Sequence, residues 1–197
     1  QISITTKDGI YLIKKWQIGT PDPAAADILS RQGGLSVLAA KALASRGIDT
    51  IEKAADFFGQ NDDEQYSDPF LIRDMDKACD AVSEAVENDT LICIYGDYDC
   101  DGVTATAVLS GYLTDIGGSV MTYINEREEG YGMNSGAVRK LAEQGVGLIV
   151  TVDNGIAAIA EAELCKELGI ALVITDHHQP GETLPDALAV VDPHRAD

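Results

Sequence analysis

The chain is 197 residues long with 45% hydrophobic and 24% charged residues, enough for one large globular domain, or one domain with a small extension. No apolar run approaches the roughly 20 residues of a membrane-crossing helix, and the start QISITTKDGIYLIKKW is too polar for a secretory leader, so a cytoplasmic protein without a membrane partner is expected. The formal net charge of -19 excludes a generic nucleic-acid-binding surface, because phosphate contacts need clustered Lys and Arg; binding DNA would require carboxylates gathered on cations and a basic domain outside this chain.

Taken in order, residues 23–87 read as helices: PAAADILSRQ, then LSVLAAKALASRGI with Gly47 as a stop, TIEKAADFFG, and MDKACDAVSEAVEN, with apolar positions three and four apart. The polar, proline-marked run NDDEQYSDPF, from Asn61 to Phe70, reads as a surface connection. From Leu91 short apolar strands alternate with helices. LICIY (91–95), SVMTYI (119–124), LIVTV (148–152), ALVIT (171–175) and LAVV (188–191) are the strands; VTATAVLSGYLTDI, NSGAVRKLAEQG and AAIAEAELCKELG lie between. The prediction is an α/β fold: a five-stranded parallel sheet with helices on both faces, preceded by a small helical segment, divided as residues 1–70 and 71–197. Cys79, Cys93, Cys100 and Cys165 form no C-x-x-C pair and read as buried free thiols.

Ligands of such sheets bind beyond the carboxyl ends of the strands, and unusual residues sit there. The first strand runs into Gly96-Asp97-Tyr98-Asp99-Cys100-Asp101-Gly102. In extended backbone Asp97, Asp99 and Asp101 would share one side, and three carboxylates in a small volume recruit a hard cation with oxygen ligands. A helix cap would need one carboxylate, not three. The D-x-D-x-D-G run also opens an EF-hand loop, but the twelfth position is Val108, not glutamate, and a strand precedes it where a helix is required. The third strand ends at Asp153-Asn154-Gly155, which suits either a ligand or a turn. The fourth ends at Asp176-His177-His178, two of the chain's three histidines beside a carboxylate that can fix an imidazole tautomer. Mostly oxygen donors with one histidine favour manganese or magnesium, and a bridging aspartate would hold two ions about 3.5–4 Å apart for phosphoryl displacement.

GDYDCDG followed by VTATAVL, with REEGYGMN (127–134), VTVDNGI (150–156) and ITDHHQPGETLP (174–185), resembles the DHH phosphoesterase superfamily, and within it the RecJ-type exonucleases. The likeness covers nearly the whole chain, including LSVLAAKALASRGI and SDPFLIRDMDKA. It implies that Asp99, Asp101, Asp153 and His177 ligate Mn2+ or Mg2+ in a two-metal site, that Asp97 and Asp176 act beside them, and that His178 faces the scissile phosphate. It further implies that Arg127 meets a substrate phosphate; the N–H groups at the helix start near Gly102, Val103 and Thr104 would suit an anion too. The implied reaction is stepwise hydrolysis of single-stranded DNA from the 5′ end, in recombination and repair, with single-strand-binding protein and helicase as partners. Cys100 stands where the family commonly has alanine, Asn125-Glu126 where it has Pro-Asp, and Val191-Asp192-Pro193 where asparagine often precedes the proline. Beginning at Gln1 and stopping before a further family metal-site aspartate and the DNA-gripping domains, the chain is expected to be a fragment with weak or absent activity alone. Two other readings are a DHH phosphodiesterase for oligonucleotides or cyclic dinucleotides, and a non-catalytic replication scaffold on the same fold.

Overall fold

The structure, a computed structural model, describes residues 2–6, 9–13, 20–59 and 67–197, and the chain forms two compact units, Gln1–Tyr66 and Ser67–Asp197. In the first, β1 (Ile2–Thr6) and β2 (Gly9–Ile13) pair antiparallel with Ile2 opposite Ile13. This hairpin was absent from the expected helical segment. The helices α1 (Pro23–Arg31), α2 (Val37–Ala44) and α3 (Ile51–Phe57) follow, their first turns capped by the side chains of Asp22, Ser36 and Thr50. Leu29, Ala40, Leu43 and Ala54 are the buried centre of this unit. Of the polar connection expected over 61–70, residues 61–66 lie outside the described residues; Pro69–Leu71 make a single 3-10 turn capped by Asp68.

The second unit is built on β3 (Ile92–Gly96), β4 (Val120–Ile124), β5 (Leu148–Val152), β6 (Ala171–Thr175) and β7 (Ala189–Val191), all parallel in the order β4-β3-β5-β6-β7. Alternation along the strands sorts the core into two layers. Cys93, Tyr95, Ile149 and Ile174 pack with α6 (Ser135–Glu143) and α7 (Ile159–Glu167), whereas Ile92, Ile94, Val150 and Val173 pack with α4 (Met75–Glu87) and α5 (Cys100–Asp115). Burying each such side chain is worth about 1.5–3 kcal/mol, so two covered faces hold the sheet as a rigid platform. The chain leaves β3 for β4 on one side and returns past β3 to β5 on the other. The crevice between the ends of β3 and β5 is therefore the switch point of the sheet.

Only half of the thiol expectation holds. Cys93 and Cys165 are buried, which pushes their thiols up to about 12 and about 11. Cys79 and Cys100 are exposed: on α4 it is Ala78 that faces inward, and Cys100 opens a helix whose start meets solvent.

Candidate metal centre

Every strand of the sheet is followed at its carboxyl end by an aspartate or asparagine: Asp97, Asn125, Asp153, Asp176 and Asp192. The loop after β3 is shaped by two close approaches. A Cβ on Gly102 would lie 2.5 Å from the Asp97 carbonyl oxygen, and one on Gly96 would collide with Thr106 Oγ1. The start of α5 thus packs directly on the end of β3. Asp99, extended at φ -87°, caps α5: its Oδ1 accepts from the N–H groups of Asp101 and Gly102, both at 3.1 Å. Asp101 already belongs to the first helical turn, so the extended alternation expected for the three aspartates ends at Asp99. Asp97 is 0% exposed; its Oδ1 accepts from the Tyr98 N–H at 2.8 Å, and its Oδ2 is buried without a partner.

At the end of β5, Asp153 adopts the left-handed region with φ 61°, a strain of about 1 kcal/mol that clusters at functional sites. Its side chain is only 7% exposed; Oδ1 lies 2.7 Å from His177 Nε2, and Oδ2 is buried without a partner. The adjacent Asn154 donates to the Tyr95 and Val152 carbonyls at 3.1 and 3.0 Å, which staples β3 to β5 beside the crevice.

Asp176, after β6, has a side chain 1% exposed and is saturated with donors. Oδ1 accepts from His177 N–H (2.7 Å), His178 N–H (3.2 Å) and His178 Nδ1 (2.7 Å), and Oδ2 accepts from Ile156 N–H (2.9 Å). It anchors the backbone of both histidines and the ring of His178. The bond from Asp176 also raises the pKa of His178. His178 Nε2 lies 3.2 Å from the Tyr131 hydroxyl, which donates to the Asp153 carbonyl at 3.0 Å. A phenol has one proton; with that proton on the carbonyl, its oxygen accepts from His178.

Among the described residues, Asp153, His177 and His178 bring donor atoms within 4.8 Å of one another. Asp101, Asp153, Asp176 and His177 share a cavity of about 340 Å³ with an apolar wall that includes Ile72, Ala105 and Val152. Burial raises the pKa of Asp97 and of Asp153, with the neighbouring Asp99 carboxylate adding to both and the His177 contact opposing it at Asp153. Asp99 is lowered, chiefly by the Gly102 N–H. Two carboxyls penalised by burial and by the nearby Asp99 carboxylate, each with an orphaned oxygen, beside an imidazole, fit a hard divalent cation, which relieves both penalties at once.

The expected metal set is therefore partly assembled: Asp153 and His177 touch, Asp101 lines their cavity, and Asp99 acts on Asp153 electrostatically. His178, expected at the phosphate, joins the donor group. Arg127 sits on a 3-10 turn (Arg127–Glu129) with its guanidinium 5.0 Å from the centre of the Tyr98 ring, in the aspartate loop. The anion role expected of Gly102 and Thr104 meets an obstacle, since the Gly102 N–H is held by Asp99 and the Thr104 hydroxyl donates to the Cys100 carbonyl at 2.6 Å. Neither is free in this conformation. The sequence assigned no role to Tyr131, within the REEGYGMN segment, or to Asn125, noted only as a departure from the family's Pro-Asp; the glycines on either side of Tyr131 were the signal available.

An open, doubly wound parallel sheet with a carboxylate and imidazole cluster at its switch point defines the class: an α/β protein whose strand-end donor groups fit a divalent cation. Residues 91–197, more than half of the chain, match the model described as DHH family, N-terminal domain. The chain belongs to the DHH family. It is 44% identical over 180 residues to the single-stranded-DNA-specific exonuclease RecJ of Bacillus subtilis (strain 168), covering 91% of this chain and 23% of that protein. Against the RecJ of Escherichia coli (strain K12) it is 40% identical over 125 residues, 62% of this chain and 22% of that protein. A crystal structure of exonuclease RecJ bound to manganese aligns with TM-score 0.60 at 37% identity, over 64% of this chain and 32% of that one. RecJ from Thermus thermophilus in complex with Mn2+ aligns with TM-score 0.57 at 29% identity, over 89% of this chain and 24% of that one. The chain spans less than a quarter of the length of these curated relatives.

Proposed function

We propose that this chain carries the catalytic centre of a metal-dependent exonuclease that hydrolyses the phosphodiester bonds of single-stranded DNA from the 5′ end. The observation that carries the reading is the 2.7 Å contact of Asp153 with His177 beside the orphaned oxygens of Asp97 and Asp153. The likeness to RecJ proteins, including ones solved with manganese, supports it. In this reading residues 71–197 are the catalytic domain and 1–70 its extension. The protein works in the cytoplasm, in recombination and repair, alongside single-strand-binding protein and a helicase.

Asp99, Asp101, Asp153 and His177 would hold Mn2+ or Mg2+ as a two-metal site. Bound there, the ions supply an activated water and positive charge for the phosphoryl oxygens. The chain's own groups do the rest. Asp176 fixes His178 with Nδ1 turned inward and Nε2 outward, so that a protonated Nε2 is offered to a phosphate oxygen or to the leaving oxygen. Arg127, aligned over Tyr98, contributes a planar charge for a second phosphate. The apolar wall of the cavity excludes water from one side and strengthens these charge interactions.

The test is a chimera in which this chain replaces the matching segment of the Bacillus subtilis relative. In Mn2+ it should shorten labelled single strands and spare duplex, and Asp153→Asn should lower the rate at least about 100-fold. A chimera that binds Mn2+ but prefers dinucleotides, or cleaves nothing, would overturn the assignment.

A further inference from the structure

We infer that Asn125 is a positioning residue of this centre, acting through Tyr131 on the His178 ring; its catalytic consequence rests on the nuclease reading above. Asn125 stands where β4 ends and is 3% exposed. Its amide is saturated. Oδ1 accepts from the Tyr95 hydroxyl at 2.7 Å and from Asn134 Nδ2 at 3.4 Å, while Nδ2 donates to the Gly130 carbonyl at 3.3 Å and to the Gly132 carbonyl. The network fixes which end of the amide is which, because only the nitrogen can serve two carbonyls.

The partners on the two sides of this amide differ in kind. Tyr95 is fully buried in β3, and Asn134 caps α6 by accepting from the Ala137 N–H at 2.8 Å, so the Oδ1 side is tied to the platform. The Nδ2 side holds a loop. Gly130 and Gly132 have φ of 91° and 83°, a backbone that side-chain-bearing residues rarely adopt, and between them stands Tyr131. With the carbonyls on both sides tied to one buried amide, the Tyr131 ring is delivered edge-on to His178, ring centres 5.7 Å apart, and its hydroxyl bridges His178 Nε2 and the Asp153 carbonyl. The chain of contact from platform to imidazole runs Tyr95, Asn125, the two glycine carbonyls, Tyr131, His178. Asp176 holds the inner nitrogen of that ring, and Asn125, at one remove, holds the outer one.

If Asn125 merely stabilised the loop, its replacement would leave the His178 ring alone, although loss of the Tyr131 hydroxyl would still move it. The two cases separate in 15N spectra of the histidine rings of this chain. Asn125→Ala and Tyr131→Phe should each move the His178 Nε2 resonance in the same direction, and the double variant should move it no further than either, with amide dispersion from β5 and β6 retained. In the chimera both single variants should lower turnover about tenfold or more, because a misdirected acid loses transition-state contact. If Asn125→Ala does not fold, Asn125→Asp keeps the acceptor for Tyr95 but removes the donor to the glycines, and Gly132→Ala strains the same loop. Each should give the same ring shift. A His178 resonance untouched by the Asn125 variants, or shifts that add in the double variant, would overturn the inference. A wild-type chimera without nuclease activity overturns the functional reading separately, since the ring spectra do not depend on it.

Discussion

Asp176 makes four hydrogen bonds through two oxygens, and the same four donors fix the loop, both histidine N–H groups and one ring nitrogen. Its charge is held behind the imidazoles rather than offered to a cation. Asp176→Asn keeps the volume but turns an amide N–H₂ toward donors, so His178 loses its anchor; turnover in the chimera should fall about 10–100-fold, with Mn2+ affinity, measured by titration, falling far less than for Asp153→Asn. Comparable losses of Mn2+ affinity in the two variants would make Asp176 a ligand instead. The acidic and imidazole residues of the centre were legible in the sequence because their types and their place after apolar strands carry the signal. Tyr131, Asn125 and Asn154 were not, because a phenol or an amide acquires its role only through partners such as His178, 47 positions on from Tyr131, or Tyr95, 59 positions before Asn154.

The edge strand β7 is three residues long and is closed by side chains. Asp74 accepts from the Val190 N–H at 3.4 Å and from Arg195 Nη1 at 2.7 Å, while Arg195 donates to the Val190 carbonyl at 2.5 Å. Both outward backbone groups of Val190 are thereby satisfied, and the edge offers no free ladder to another strand. Lys77 first, then Arg195 and the Val190 N–H, hold Asp74 down to about 2 from its ordinary 3.8. A carboxyl depressed by folding stabilises the protein above its unfolded pKa, and that stability is lost as pH falls through its folded value. Asp74→Ala should therefore cost about 2 kcal/mol at pH 7, and denaturant midpoints of variant and parent should converge between about pH 4 and pH 2; a gap independent of pH would rule out the charge as its source. At this scale the strands of the sheet were readable from apolar runs bounded by turn residues. The hairpin of β1 and β2 was not, although Ile2, Ile4, Ile10 and Leu12 alternate, because the polar residues among them break the apolar runs into short pieces. The start of α5 at Cys100 instead of Val103 was also hidden, since it depends on the cap made by Asp99.

Across the whole molecule the decisive feature is strand order. The chain visits β3, β4, β5, β6 and β7 in turn, yet β3 lies between β4 and β5, and only that arrangement sets the aspartate loop against Asp153. Strand identity could be read from the sequence; neighbourhood could not, because it is decided by which helices cover which face. With a net charge of -19, the molecule gains from any cation that settles among its carboxylates. At a hundred times the dissociation constant Mn2+ should stabilise it by about 2.7 kcal/mol, and calorimetry should show that gain disappear in Asp153→Asn while parent stability without metal changes little.

Anomalous scattering at the manganese edge from a crystal grown in saturating Mn2+ asks most directly whether these side chains form one cation centre. Density touching Asp153 and His177, with Asp99 and Asp101 alongside, is the predicted result. Manganese bound elsewhere on the chain, with the Asp153 and His177 contact unchanged, would contradict it.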